Sequence, residues 1–170
     1  MGLGMFKLSG LANLASRVSG KLKQKLSGLL DEPQLTLSVG IWSKATRDGG
    51  GASVAEYAAY NEFGTTKIPP RPFLRPAMEE RREEWTEAVA GSMSASLKGG
   101  QFNNRSVLEV IGRNAVKDVQ LRIMSNTPPP NAPSTVARKK AKGISPIRTL
   151  VETGLMHDSV EYKIEKGSPS

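Results

Sequence analysis

Side chains that commonly do chemistry in proteins are sparse in this sequence. His157 is the one histidine, and Asp158 follows it. A Ser-His-Asp triad would have to use His157, yet no G-x-S-x-G nucleophile turn accompanies it. A metal site needs several clustered histidine, cysteine or carboxylate ligands. We therefore expect His157 to be a surface residue rather than a metal ligand or a catalytic base.

The remaining candidates for catalysis are equally few. Cysteine is absent, which excludes a disulfide scaffold, thiolate metal sites and a cysteine nucleophile. Glu62 is the one acid in the unusual run YNEFGTTKIPPRPFLRP. It could act as a base, but a carboxylate that caps a helix or pairs with Arg71 or Arg75 is the simpler interpretation. We expect neither an enzyme nor a bound cofactor.

The charges of the chain are clustered. A formal net charge of +8 favours an anionic partner such as nucleic acid, a membrane surface or an acidic protein. Cations form two blocks: Lys7, Arg17, Lys21, Lys23 and Lys25, then Arg138, Lys139, Lys140, Lys142 and Arg148. Between them lies an acidic patch: Glu79, Glu80, Glu83, Glu84 and Glu87. For the acidic patch a solvated face is preferred, and an electrostatic contact with a neighbouring copy is the alternative. For the basic blocks a solvated face and an anionic partner are equally open.

Length and composition indicate one modest domain. Of 170 residues, 38% are hydrophobic and 5% aromatic, and 17 glycines and 11 prolines predict much loop. No apolar run approaches the roughly 20 residues that span a bilayer, so we expect no membrane partner. The start, MGLGMFKLSGLANLASRV, is interpreted as mature sequence because Lys7, Ser9 and Asn13 interrupt its apolar residues.

The first third of the chain predicts a helix and a strand. Apolar residues at spacings of three and four predict a basic amphipathic helix over residues 8–30, which Pro33 ends. Packing on a core or partner is favoured for it over binding to a membrane surface. The alternation in QLTLSVGIW, residues 34–42, predicts a half-buried strand. KATRDGGGAS follows as a hairpin or mobile loop, because it lacks the GK[ST] ending of a phosphate-binding loop.

Three helices and a second strand are predicted beyond that loop. The helices cover residues 53–64, 74–97 and 106–124. Ser53 and Glu56 form a capping box at the start of the first helix, and Gly64 follows its end. After the third helix we expect polyproline-like chain and an extended basic segment, then a helical turn at Thr153–Asp158 and a strand at Val160–Ile164.

These elements predict an α+β fold: a small antiparallel sheet packed with three main helices and long proline-rich loops. A two-stranded sheet is marginal alone, so we expect a further strand or pairing with a neighbouring subunit. The predicted organisation is a basic N-terminal helix in 1–33, one domain in 34–165, and a disordered tail in 166–170. Two loops, 61–76 and 126–148, are candidates for contact with partners.

Two stretches of the sequence resemble tail-completion, or neck, proteins of tailed bacteriophages. In AAYNEFGTTKIPPRPFLRPAM the matching residues are Tyr60, Asn61, Glu62, Phe63, Gly64, Ile68, Pro69, Arg71, Pro72, Phe73, Leu74 and Pro76. NTPPPNAPSTVARKKAKGISPIRTLVETGLMHDSV is similar to a later motif of that family through Pro129, Pro133, Thr135, Lys140, Leu150, Thr153, Gly154, Leu155 and Ser159. The two stretches cover about a third of the chain, in the family's order.

The resemblance implies a structural virion protein without enzymatic activity. Such proteins assemble in the bacterial host cytoplasm into a ring at the head–tail junction, where they complete the tail for joining to the DNA-filled head. A homo-oligomeric ring is implied, with six-fold symmetry favoured and twelve-fold as the alternative. The other implied partners are the head–tail adaptor or stopper, the tail terminator or tail tube, and genomic DNA passing through the lumen.

The resemblance also implies which residues meet partners. Candidates for the interface between subunits or with neighbouring proteins are Tyr60, Glu62, Phe63, Arg71, Phe73 and Arg75. The aromatic residues would be apolar anchors, and the arginines would form forked hydrogen bonds to carboxylates. Alternatively, the phenylalanines attach the loop to the subunit's own core. Candidates that face DNA or an acidic protein surface are Lys21, Lys23, Lys25, Arg138, Lys139, Lys140 and Lys142.

Competing hypotheses remain open at this point. A tail terminator or a head-closure ring protein would occupy an adjacent position in the neck and have a similar size. From another class, a non-specific DNA-binding protein agrees with the net charge, although no helix-turn-helix pattern is present. An enzyme is the weakest hypothesis.

Overall fold

A computed structural model describes residues 5–6, 35–46, 51–98 and 103–166 of the chain. The predicted helix over residues 8–30 lies outside the described residues, and Lys21, Lys23 and Lys25 lie there with it. Gly49 and Gly50 of the glycine-rich loop and residues 167–170 of the predicted tail lie outside them as well. Lys166, which the sequence assigns to that tail, belongs to a strand.

An antiparallel sheet forms one layer of the fold. Its strands are β1 (Met5–Phe6), β2 (Leu35–Ile41) and β3 (Val160–Lys166). β2 and β3 pair along their full length, from Leu35 opposite Lys166 to Ile41 opposite Val160. The two-residue β1 pairs with the other edge of β2. The two predicted strands are therefore confirmed, and β1 supplies the further strand that the sequence leads us to expect.

The described residues also contain six helices. They are α1 (Val54–Phe63), α2 (Leu74–Glu80), α3 (Arg82–Leu97), α4 (Asn104–Met124), α5 (Pro133–Ala141) and α6 (Leu155–Asp158). At α1 the predicted capping box is present: the Ser53 hydroxyl accepts from the Glu56 amide, and the Glu56 carboxylate accepts from the Ser53 amide at 2.8 Å. The hydrogen bonds that the Glu56 carboxylate accepts, from the Ser53 amide first and from the Ser53 hydroxyl second, lower the pKa of Glu56.

Two helix predictions need correction. The single helix predicted over 74–97 is interrupted at Arg81, whose backbone (φ −106°, ψ 0°) separates α2 from α3. The Arg81 side chain pairs with Glu84 of α3 at 2.7 Å and with Asp118 of α4 at 3.4 Å. The extended chain predicted over 126–148 contains α5 instead. Pro133 opens that helix, since the first helical position needs no amide hydrogen.

The core lies between α4 and the sheet. Its α4 side is the predicted apolar stripe of Leu108, Ile111, Ala115, Val119 and Ile123, and all five side chains are buried. Gly112 lies so close to the sheet that a Cβ there would be 2.6 Å from a ring carbon of Tyr162 on β3. The predicted α+β fold is confirmed. Among the described residues no helix has both the length and the apolar character needed to cross a membrane.

Candidate docking site

The loop between α1 and α2, residues 64–73, begins with a tight turn. Gly64 leaves α1 with φ of 76°, and a side chain there would come within 2.9 Å of Pro70 Cδ. The Thr65 amide donates to the carbonyl of Ile68 at 2.8 Å, and the Thr65 hydroxyl accepts from the Ile68 amide at 3.0 Å. The glycine of the YNEFG motif is therefore required by the turn that starts this loop.

Glu62 fixes the far end of the same loop. Its side chain is fully buried, and its two oxygens accept from the backbone amides of Phe73 at 2.8 Å, Leu74 at 2.9 Å and Arg75 at 3.1 Å. The Arg75 Nε lies 3.0 Å from the same carboxylate. The carboxylate thus satisfies amides at the start of α2 that have no partner within the helix. The interpretation of Glu62 as a helix-capping acid paired with Arg75 is confirmed.

Arg71 joins the loop to a distant part of the chain. Its Nε donates to the carbonyl of Pro129 at 2.7 Å, and its Nη2 donates to the carbonyl of Pro130 at 3.0 Å. Its backbone amide donates to the carbonyl of Asn61. Only 8% of Arg71 is exposed, so its forked hydrogen bonds are made within the subunit and not to a partner's carboxylate.

Three of the six predicted interface residues are therefore placed differently from the prediction. Phe73 is 1% exposed and belongs to the core cluster, so the alternative that the loop is attached to the subunit's own core holds for this residue. Glu62 and Arg71 are likewise buried by contacts within the chain. The prediction of a partner contact is wrong for all three in this conformation, because none presents surface to a partner.

The other three residues form an exposed group, here called the aromatic patch: Tyr60, Phe63 and Arg75. Tyr60 is 40% exposed and Phe63 52% exposed, both in the last turn of α1. The guanidinium of Arg75 lies 4.9 Å from the centroid of the Phe63 ring, within the range of a cation–π contact. The buried Glu62 carboxylate also binds Arg75, so the same carboxylate that caps α2 holds one side chain of the patch in place.

The basic block after residue 137 is mostly engaged within the subunit. Lys139 is 3% exposed, and its Nζ donates to the carbonyls of Arg148 at 2.6 Å and Val151 at 2.7 Å. Arg138 and Lys142 each lie 3.0 Å from the Glu152 carboxylate, whose side chain is 8% exposed. The prediction that Lys139 faces DNA or an acidic surface is wrong. Lys140 is exposed, and its contact with DNA or an acidic surface stays a prediction.

His157 lies where the sequence indicates, in a turn near the surface. Its Nδ1 is 2.7 Å from a carboxylate oxygen of Asp158. Within the described part of the chain, no three histidine, cysteine or carboxylate residues are grouped so that they could hold a metal ion. What the geometry defines is an α+β domain whose accessible aromatic side chains could contact another protein.

No family model, curated protein or solved structure matches this chain. The resemblance to tail-completion proteins therefore depends on the two motif stretches of the sequence. Arg71 lies in the first stretch, and Pro129 lies in the second.

Proposed function

We propose that this chain is a structural protein of the phage neck. In this proposal it forms a ring at the head–tail junction and completes the tail for joining to the DNA-filled head. The observation that carries the proposal is the contact of Arg71 with Pro129 and Pro130, 58 and 59 residues along the chain. The two stretches that resemble the same family in sequence thus contact each other as parts of one structural unit. Two unrelated chance similarities would not be required to lie in contact.

The aromatic patch supports docking to another protein. Exposed aromatic side chains beside an arginine are the composition typical of the residues that dominate binding energy at interfaces. The chain beneath them is fixed in advance by the Glu62 hydrogen bonds, by Arg71 and by the proline-rich loop. A surface that is ordered before binding loses less conformational entropy on docking, so more of its contact energy remains as affinity.

A ring requires each subunit to present two different surfaces, one for each neighbour. The aromatic patch can serve as one of them, or it can dock on the adaptor, stopper, terminator or tube next to the ring. The virion is the proposed location, with a six-fold ring favoured over a twelve-fold one. DNA would pass through the lumen without sequence-specific contacts.

The DNA-binding alternative loses support from the basic block after residue 137. Non-specific binding depends on cations that are free to meet phosphates. Lys139 is buried, and Arg138 and Lys142 pair with Glu152. Of these four cations, Lys140 is exposed and has no acidic partner among the described residues. This alternative now depends mainly on Lys21, Lys23 and Lys25.

Electron microscopy of particles from a phage that lacks this gene tests the proposal. Filled heads beside separate, full-length tails are the expected result. Tails of irregular length would instead favour a tail terminator. Intact and infectious particles would overturn a role in the neck and favour the DNA-binding alternative, which duplex-binding titrations at several salt concentrations would then examine.

A further inference from the structure

The outward face of α4 carries apolar and cationic side chains together. Val110 is 50% exposed and Leu121 is 67% exposed, although both lie on a helix whose opposite side forms the core. Between them, Arg113 and Lys117 are exposed and have no partner that the described part of the chain shows. Spacings of three and four residues place these side chains on one side of the helix, along roughly 16 Å of its axis.

A second exposed face has the opposite charge. Glu83 and Glu87 are exposed on α3 and unpaired within the described residues, unlike Glu84, which pairs with Arg81. α3 buries Trp85 and Met93 on one side only, so its other side is accessible. Beyond Glu87 this side carries the small residues Ala90 and Gly91, and a Cβ added at Gly91 would meet no atom within 4 Å.

We propose that these two faces bind each other between copies of this chain: the acidic side of α3 in one subunit contacts the cationic side of α4 in the next. The charges match in spacing, since Glu83 and Glu87 are one helical turn apart, as are Arg113 and Lys117. With the two helices parallel, Arg113 lies opposite Glu83 and Lys117 opposite Glu87. Leu121 then lies opposite Gly91, where a large side chain has room.

The occupant is a second copy because both halves of the contact are present on one chain. Each copy uses a different surface toward each neighbour, which is the head-to-tail arrangement that closes into rings. The apolar contribution comes from Val110 and Leu121, and the opposite charges set the alignment and raise the association rate. This inference rests on the ring-subunit function proposed above and identifies the subunit's own contact surface.

Charge reversal tests the contact in the full-length protein. The two double variants are Glu83→Lys/Glu87→Lys and Arg113→Glu/Lys117→Glu, and their combination in one chain restores opposite charges with the signs exchanged. Sedimentation velocity at low and high salt measures self-association, and circular dichroism verifies folding. We expect each double variant to weaken self-association by about tenfold or more, and the combination to recover most of it.

Matched controls change the same number of charges elsewhere. Lys44→Glu/Lys98→Glu and Glu161→Lys/Glu165→Lys alter exposed residues outside the two faces, and we expect wild-type association from both. Leu121→Ser is a further variant that keeps every charge, and it should weaken association although Leu121 contributes little to the fold. It keeps the contact testable if a charge-reversed variant fails to fold.

The contact is overturned if the wild type stays monomeric, or if the double variants associate as well as the controls. It is also overturned if the combined variant fails to recover, because the charges of α3 and α4 would then not pair with each other across the contact. The proposed neck function is tested separately: intact particles from a phage that lacks the gene would reject it. Normal joining by variants that cannot self-associate would leave that function standing and reject this surface.

Discussion

Arg71 donates a hydrogen bond from Nε to the backbone carbonyl of Pro129 at 2.7 Å. This contact, together with the one to Pro130, connects the proline-rich loop before α2 to the proline-rich segment before α5. Neither segment has the regular backbone hydrogen bonds of a helix or a sheet. The buried guanidinium instead provides the hydrogen bonds that join them. The planar fork suits two consecutive carbonyls, a geometry that an ammonium group does not reproduce.

Arg71→Lys should therefore destabilise the fold. We expect a loss of about 1.5–3 kcal/mol in the free energy of unfolding, because a buried charged donor loses one of two hydrogen bonds. Urea denaturation followed by circular dichroism measures it. Lys67→Ala, at an exposed cation of the same loop, is the control and should change stability by less than about 0.5 kcal/mol. Equal stability of Arg71→Lys and the wild type would contradict the structural role of the guanidinium.

Glu62→Gln should also destabilise the protein while preserving the shape of the side chain. The amide group keeps one acceptor oxygen but directs an NH₂ group toward backbone amides that the carboxylate now accepts from. A loss of about 2–3 kcal/mol is expected from a buried donor left without an acceptor and the lost charge opposite Arg75. Thermal unfolding compared with Glu79→Gln, at an exposed acid on α2, gives the measurement. Matching melting temperatures for the two variants would reject the capping role.

Local features of this fold could be predicted from the sequence. The capping box of Ser53 and Glu56, the alternation in β2 and the apolar stripe of α4 each depend on residues a few positions apart. The burial of Phe73 could not be predicted, because a phenylalanine in this loop suits a contact with a partner as well as a place in the subunit's own core. Its burial depends on the Glu62 hydrogen bonds, which only the folded chain brings together.

The basic block illustrates the same limit over a longer distance. A run of lysines suggests a surface for an anionic partner, but the partners of Lys139 are the carbonyls of Arg148 and Val151, and Glu152 neutralises its neighbours. The carbonyl of Arg148 carries no sequence signal, and Val151 and Glu152 lie beyond the basic block, so the sequence does not indicate these contacts. One local signal does indicate the start of α5: Pro133 occupies its first position. The prolines that precede it obscure this signal, because they make the whole segment resemble polyproline-like chain.

Gly112→Ala is expected to separate α4 from the sheet. The new methyl group would lie 2.6 Å from the Tyr162 ring and 3.1 Å from a methyl carbon of Leu37, so the helix or the ring must move. Overpacking of this kind costs about 1–3 kcal/mol. The double variant Gly112→Ala/Tyr162→Ala, compared with Tyr162→Ala alone, should show a much smaller cost for the added methyl group. An unchanged cost would place the strain somewhere other than the Tyr162 ring.

Thr149→Val should be tolerated or slightly stabilising. The Thr149 hydroxyl is buried and has no hydrogen-bond partner in the part of the chain that the structure describes. Replacing it with a methyl group of similar size removes an unsatisfied polar atom, which is expected to add between zero and about 1 kcal/mol to the free energy of unfolding. Thr127→Val is the comparison, since the Thr127 hydroxyl donates to the backbone carbonyl of Arg122. A loss of stability at Thr149 as large as that at Thr127 would reveal a partner for its hydroxyl.

Substitutions in the aromatic patch and in the core beneath it separate a docking role from a structural role. Phe63→Ala removes a ring that is 52% exposed, so the fold should lose less than about 1 kcal/mol, whereas Phe73→Ala removes a buried ring and should lose about 3–5 kcal/mol. If the patch docks on a neighbouring neck protein or subunit, Phe63→Ala and Tyr60→Ala should abolish the joining of tails to heads while leaving the protein folded. Infectious yield and micrographs of lysates measure the joining, with Thr66→Ala as the control on the exposed part of the same loop. Wild-type yields from a folded Tyr60→Ala/Phe63→Ala variant would show that the patch does not dock, because tails would then join heads without either aromatic ring.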